Sequence, residues 1–195
     1  MKLQFKHQSF QRDATQAVIE VFRGQPRQDA LTYRMDMGKG FLAIETQGFR
    51  NHYITLSDEA LTENIREIQK GQDLQPIDRL HRDAHNTLAL NIEMETGTGK
   101  TYTYIKTMYE LYKHYGWTKF IIVVPSVAIR EGVIKSLETM ADHFAEEYGE
   151  RMQHFVYDSA RLTSIDQFAS DSKIHVMVIN TQAFNATGAD ARRIT

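Results

Sequence analysis

Apolar residues recur at three- and four-residue intervals through Phe10, Ala14, Ala17, Val18, Val21 and Phe22. That spacing is one face of a helix, with Ser9 as the expected cap and Gly24 and Pro26 as the stop. The pattern then changes. Phe41 to Thr46 and Phe49 to Leu56 read as two strands of a hairpin turning at Gln47-Gly48. Ser57, followed by Asp58 and Glu59, opens a second helix that carries Leu61, Ile65 and Ile68 and ends at Gly71. Residues 27–86 therefore read as a small accessory α+β insertion after an N-terminal helical segment, residues 1–26.

From Leu88 onward strands and helices alternate. Leu88 to Met94 reads as a strand, and Lys100 to Tyr115 as a helix with Ile105, Met108, Leu111, Tyr112 and Tyr115 on one side. Phe120 to Val124 is apolar at every position, the mark of a strand buried on both faces, so it is expected at the centre of a sheet beside Leu88 to Met94. After Pro125, Val127 to Tyr148 forms a long amphipathic pattern through Val133, Ile134, Leu137, Met140 and Phe144. His154 to Tyr157 and Ile174 to Ile179 are two further short strands. The alternation implies right-handed crossovers and a parallel, doubly wound α/β sheet over residues 87–195.

Composition narrows the class. With 42% hydrophobic and 25% charged residues the chain is an ordinary globular one. The absence of cysteine excludes disulfides and thiolate metal sites and fits a cytoplasmic setting. No signal-like apolar core opens the chain and no run approaches the ~20 apolar residues that cross a bilayer, so no membrane partner is expected. A net charge of −2 gives no bulk basic field, which leaves any nucleic-acid contact to local groups.

The chemistry concentrates at Glu95-Thr96-Gly97-Thr98-Gly99-Lys100-Thr101, between an expected strand and an expected helix. Such a turn aims backbone N–H groups and a helix N-terminus at one point, which suits a polyphosphate. Gly97 and Gly99 let the backbone approach, Lys100 can reach the β and γ phosphates, and the Thr101 hydroxyl can ligate magnesium. The longer P-loop pattern has glycine where this chain has Met94. Pro125 to Arg130 and Asn180 to Phe184 each follow a strand. Ligands of open α/β sheets bind outside the carboxyl ends of strands, so all three segments are expected on that edge. Taken alone, Ser126 could simply cap a helix and Asn180 to Phe184 could be a polar loop. His81 and His85 stand four apart, but Arg82 replaces the glutamate of a zinc protease, so a surface helix is expected there. Gly38-Lys39-Gly40 precedes a strand and reads as a turn.

In order, these strings resemble the restriction (Res) subunit of type III restriction–modification enzymes. The resemblance rests on Glu93 to Tyr102 (EMETGTGKTY), Ile121 to Val133 (IIVVPSVAIREGV), Val178 to Asn185 (VINTQAFN) and Phe10-Gln11 with Ala14 and Ala17-Val18. It implies a superfamily-2, helicase-type motor that uses ATP and magnesium, acts on double-stranded DNA and works with a methyltransferase (Mod) subunit. By that resemblance the fold is a RecA-like P-loop NTPase domain, first lobe only. Thr96, Gly97, Thr98, Gly99, Lys100 and Thr101 would hold the phosphates, and Gln11 would read adenine. Pro125, Ser126, Arg130, Thr181 and Gln182 would touch the DNA backbone. No acidic D-E-x-x box follows residue 181, so the catalytic set is incomplete, and binding of nucleotide without turnover is expected of this stretch. Open alternatives are the motor of a type I restriction enzyme or a repair helicase, a P-loop kinase, and a non-catalytic nucleotide-binding module.

Overall fold

The computed structural model describes residues 5, 8–34, 47–158 and 163–183. The expected strand Phe41 to Thr46 and the Gly38-Lys39-Gly40 turn lie outside these residues. In chain order the elements are α1 (Ser9–Val21), β1 (Leu31–Arg34), β2 (Gln47–Arg50), α2 (Asp58–Gly71), α3 (Lys100–Tyr115), β3 (Lys119–Val124), α4 (Val127–Tyr148), β4 (Gln153–Val156), α5 (Thr163–Ser170) and β5 (His175–Asn180), with a 3-10 turn at Thr181–Ala183. They divide into two compact units. One comprises residues 1–27 and 53–115, the other residues 28–52 and 116–195.

The first unit is helical. Its core gathers Ile19, Val21 and Phe22 from α1 and the turn after it, Leu61 from α2, and Ile105, Met108, Tyr109 and Tyr115 from α3. Thr15 and Ile19 are buried while Phe10 is exposed, so the inward stripe of α1 is turned from the predicted one toward its Thr15 side. Ser9 does not cap α1: Gln8 holds that position without a side-chain bond, and Ser9 is already helical. Ser57 does cap α2, accepting from Ala60 N–H at 3.3 Å. The unit's buried polar groups close on α1's exit. Asn64 Nδ2 donates to the carbonyls of Val21 (3.0 Å) and Arg23 (2.9 Å), and the Tyr115 hydroxyl donates to that of Ile19 (2.8 Å). A buried donor left without such partners would cost about 1–3 kcal/mol, so these bonds fix where the helices meet.

The second unit holds the sheet, which is parallel, with strand order β3-β5-β4. Val176 and Val178 of β5 are fully buried. The register places Phe120, Ile122, His154, Val176 and Val178 on one face, and Ile121, Val123, Phe155, His175, Met177 and Ile179 on the other. Helix α4 lies along β3 and β5 with Val133, Leu137, Met140 and Phe144 buried, and its Glu138 acts on His154 of the first face. Phe168 of α5 meets Phe155 and His175 edge-on, so α5 lies on the second face over β4 and β5. The sheet is therefore doubly wound, and the fold is α/β as expected.

Three local expectations are corrected. β3 lies at the edge among the described residues, with Ile121 56% and Val123 53% exposed, and β5 takes the centre. An apolar run says that both faces of a strand suit burial; it does not say how many strands flank it. Leu88 to Met94 forms no strand, apart from an isolated bridge between Leu88 and Arg82. The hairpin pairs Leu31 with Arg50 through Arg34 with Gln47, so Gln47-Gly48 lies within a strand instead of making the turn. Past its end, the Asn51 side chain fastens the start of β3, accepting from the N–H groups of Thr118 (2.8 Å) and Lys119 (2.9 Å) and donating to the Lys119 carbonyl (2.7 Å).

The amino edge of the sheet carries an ionic cluster that the sequence reading passed over. Lys119 Nζ donates to the carbonyl oxygens of Asp171 and Lys173 and stands 5.4 Å from the centre of the Phe168 ring. Burial lowers its pKa from 10.5 to about 8, with the Asp171 charge opposing the shift. Burial alone would raise the Asp171 carboxyl, but bonds from the His175 ring (2.9 Å) and Lys173 N–H (2.9 Å) outweigh it and hold the carboxyl below its ordinary range.

Candidate nucleotide-binding site and strand-end surface

The candidate phosphate loop belongs to the helical unit and runs directly into α3. Gly97 and Gly99 both adopt φ 84°, a left-handed conformation that costs an L-residue roughly 1–2 kcal/mol. Alternating these with ordinary residues curls the chain from Glu95 to Lys100. The curl is closed from within: Thr98 donates from its hydroxyl (2.6 Å) and its N–H (3.4 Å) to the Glu95 carbonyl. The Lys100 ammonium folds back over the loop and donates to the carbonyl oxygens of Met94 and Glu95, the latter at 2.9 Å. An ammonium has three donors, so one N–H remains for an anion while the other two hold the loop's shape. Met94 takes part through its backbone carbonyl, which any residue supplies, so the missing glycine does not prevent this bond.

Gln11 reaches the loop from α1. Its Nε2 donates to the Thr98 carbonyl at 2.8 Å, and a Cβ built on Gly99 would strike the same amide. A side chain at position 99 would therefore push the end of Gln11 aside and disturb its bond to Thr98, in addition to the backbone strain at that φ. Around a Cβ at Gly97 the space is open. Behind the loop, Tyr102 is buried and stacks on Phe5 with ring centres 5.8 Å apart. Among the described residues no three His, Cys, Asp or Glu side chains gather as a metal cage. Magnesium commonly enters with the phosphates on one or two protein oxygens, and Thr101 at the first turn of α3 offers one such oxygen. The curled amides, the lysine and this hydroxyl fit a magnesium–polyphosphate.

His81 and His85 are exposed and lie in a turn rather than on the expected helix. Asp83 makes that turn by accepting from the N–H groups of His85 (2.9 Å) and Thr87 (2.8 Å), bonds that hold its carboxyl below the ordinary range.

In the sheet unit the other two candidate segments meet. β3 and β5 end in register, Val124 beside Asn180, so the residues after each strand emerge side by side. The Thr181 hydroxyl donates to the Pro125 carbonyl at 3.4 Å, and Asn180 Nδ2 donates to Gln182 Oε1 at 3.3 Å. Ser126 caps α4, accepting from Ile129 N–H at 3.3 Å, so its hydroxyl has the structural job foreseen for it. Thr181 and Gln182 are exposed, and the Arg130 guanidinium rests on the Glu131 carboxylate at 2.9 Å. Arg130 is 22% and Glu131 62% exposed, and a pair open to water on its carboxylate side adds little stability.

The family model described as "Type III restriction enzyme, res subunit" matches residues 4–193. The chain is 33% identical over 155 residues to the type III restriction-modification enzyme EcoP15I Res subunit of Escherichia coli, covering 70% of this chain and 16% of that protein. It is 32% identical over 148 residues to the EcoPI Res subunit of Escherichia phage P1, covering 67% and 15%, and 37% identical over 115 residues to the StyLTI Res subunit of Salmonella typhimurium strain LT2, covering 50% and 12%. It thus spans between 12% and 16% of the lengths of these three relatives. A match over nearly the whole chain, through the loop and both strand ends, establishes that this chain belongs to the family of type III restriction enzyme Res subunits.

Proposed function

We propose that this chain is the nucleotide-binding part of an ATP-driven, DNA-translocating motor within a type III restriction endonuclease, working in the cytoplasm with a Mod subunit and double-stranded DNA. In this reading residues 87–195 form the first motor lobe, with residues 1–26 bringing Gln11 to it and residues 27–86 as its insertion. The observation that carries it is the closed loop: two left-handed glycines, a lysine folded onto the carbonyl oxygens of Met94 and Glu95, and Gln11 fastened to Thr98. Such a ring presents N–H donors and one ammonium proton to a single point, and polyphosphate is the ligand with matching charge and acceptors.

Each residue then has a defined task. Thr96 to Gly99 supply amide donors, Lys100 the charge, and Thr101 the oxygen for magnesium. Bound magnesium neutralises charge on the β and γ phosphates. Gln11 has two amide hydrogens and one carbonyl. One hydrogen is held by Thr98, and the remaining N–H and C=O match N7 and the 6-amino group of adenine. In this reading Ser126, Arg130, Thr181 and Gln182 supply a polar strip at the strand ends that suits DNA phosphates, and Pro125 contributes by setting the turn, since its backbone has no N–H to donate. With only Arg130 as a cation, contact there would be weak and salt-sensitive. Phosphoryl transfer needs in addition a metal-holding carboxylate and a group that orients water, so binding without turnover is the activity proposed for these residues.

Calorimetric titration of magnesium–ATP into the chain and into Lys100→Ala tests this, alongside a phosphate-release assay. Binding by the wild type, its loss in Lys100→Ala with an unchanged circular dichroism spectrum, and no steady release are expected. Equal binding by both proteins would remove the site.

A further inference from the structure

Helix α3 contains a shielded hydroxyl one turn after the candidate phosphate loop. The Tyr104 phenol oxygen is shielded from solvent, no hydrogen bond of good geometry closes on it, and the side chain that acts on it is that of Thr101. Native proteins rarely leave such a group unpaired, since phenylalanine would fill the same volume without the desolvation penalty. Tyr104 follows Thr101 by three residues on α3, so the two share a face. Helical side chains lean toward the N-terminus, which carries the Tyr104 ring back over the first turn and onto Thr101. Burial raises the phenol's pKa, and the Thr101 side chain is the group that draws it back down.

Thr101 needs a neighbour of this kind. A threonine within a helix usually sends its hydroxyl proton to the carbonyl four residues back, as Thr103 does to Gly99 (3.3 Å) and Thr107 does to Thr103 (2.8 Å). Among the described residues Thr101 makes no such bond. To ligate a cation, its oxygen must turn a lone pair outward and give its proton to an acceptor behind it. The shielded phenol oxygen one turn along the helix, on which Thr101 acts, is such an acceptor.

We propose that Tyr104 is a positioning residue: its hydroxyl takes the Thr101 proton and so fixes the Thr101 oxygen toward the magnesium that accompanies the nucleotide. This rests on the reading of the loop as a magnesium–nucleotide site and adds a residue to it. The ligand class is a magnesium–nucleoside triphosphate; Tyr104 acts through Thr101 and touches neither metal nor phosphate.

The test is ATP affinity measured with magnesium and with EDTA for wild type, Tyr104→Phe, Thr101→Ala, the double variant and Lys100→Ala, with a melting curve for each. Loss of a partner behind a metal ligand typically weakens metal affinity 10–100-fold, so Tyr104→Phe should lose about tenfold of the gain that magnesium gives. Its affinity in EDTA should match the wild type, and its melting temperature should be equal or higher. In the Thr101→Ala background Tyr104→Phe should change nothing further, because the hydroxyl it serves is gone. A full magnesium gain in Tyr104→Phe overturns the inference. So does a gain absent from the wild type, a further loss in the double variant, or a clearly lowered melting temperature in Tyr104→Phe. Lys100→Ala separates the two levels. If it binds like wild type in EDTA, the reading of the site itself fails; if it loses binding while Tyr104→Phe keeps the magnesium gain, only the role of Tyr104 does.

Discussion

Replacing Lys119 with methionine should change the pH dependence of stability in one direction only. In the folded chain the ammonium is half-buried beside Phe168, and its pKa falls from 10.5 to about 8. At pH below about 8 both folded and unfolded chains carry the proton, and the burial penalty is fully present. Between about 8 and 10.5 the unfolded chain holds a proton that the folded chain has shed, so stability rises with pH through that window. Above it the curve is flat again. For a fully enclosed group the interval would be worth roughly 3 kcal/mol. Lys119 is about half open to water, which screens the charge, so about 1 kcal/mol is expected. Methionine keeps the contact with Phe168 and carries no proton. Urea melts of both proteins at pH 7 and pH 10 give two free-energy differences, and subtracting them cancels every other titrating group common to both chains. The wild type should gain about 1 kcal/mol on the variant as pH rises. The bonds from Lys119 to the Asp171 and Lys173 carbonyl oxygens set the offset between the proteins at pH 7 and not the sign of the change. A difference that stays constant, or moves toward the variant, would refute the claim that burial dominates at this lysine.

Gly99→Ala should weaken magnesium–ATP binding more than Gly97→Ala. Both force an L-residue to φ 84°, but only at Gly99 does the new Cβ strike the Gln11 amide. Each should lower stability by roughly 1–2 kcal/mol from backbone strain, and equal affinities by titration would show that Gln11 does not shape the loop. Asn64→Ala leaves the Val21 and Arg23 carbonyl oxygens and the Arg23 guanidinium without their shared partner. It should cost about 2–3 kcal/mol in urea unfolding, and a loss under half of the lower figure would mean that water replaces those bonds.

Much of the fold was readable because the relevant patterns are local. Helical spacing located α1, α3 and α4, and the residues following Pro125 and Ser57 fixed two caps, since capping depends on three or four consecutive residues. Strand neighbours were less accessible. β3 (KFIIVV) is the more continuous apolar run, yet β5, which starts with a buried histidine and ends in asparagine, is the strand flanked on both sides. Pairing is decided between segments distant in the chain, Lys119 with His175 and Gln153 with His175, and a single run of side chains carries no record of its partner. The hairpin shows the same limit: β1 begins at Leu31, where alternation is weak, and its partner is set by cross-strand hydrogen bonds.

The site divides along the same line. Glycines, lysine and threonine in a fixed spacing mark the proposed phosphate loop because each position has a backbone or charge requirement that few residues meet. What holds the loop could not be read that way. Gln11 lies 87 positions before the carbonyl it binds, and one glutamine on a helix is common. The carbonyl oxygens of Met94 and Glu95 that receive Lys100 belong to the backbone, so no residue type reveals them. Tyr104 is an intermediate case. Its spacing from Thr101 was visible, but only burial of the phenol oxygen, with no hydrogen bond of good geometry closing on it, distinguishes a working hydroxyl from one more aromatic residue in an apolar stripe. In this chain the groups proposed to face the ligand stand out by their chemistry, while the groups proposed to orient them required distances.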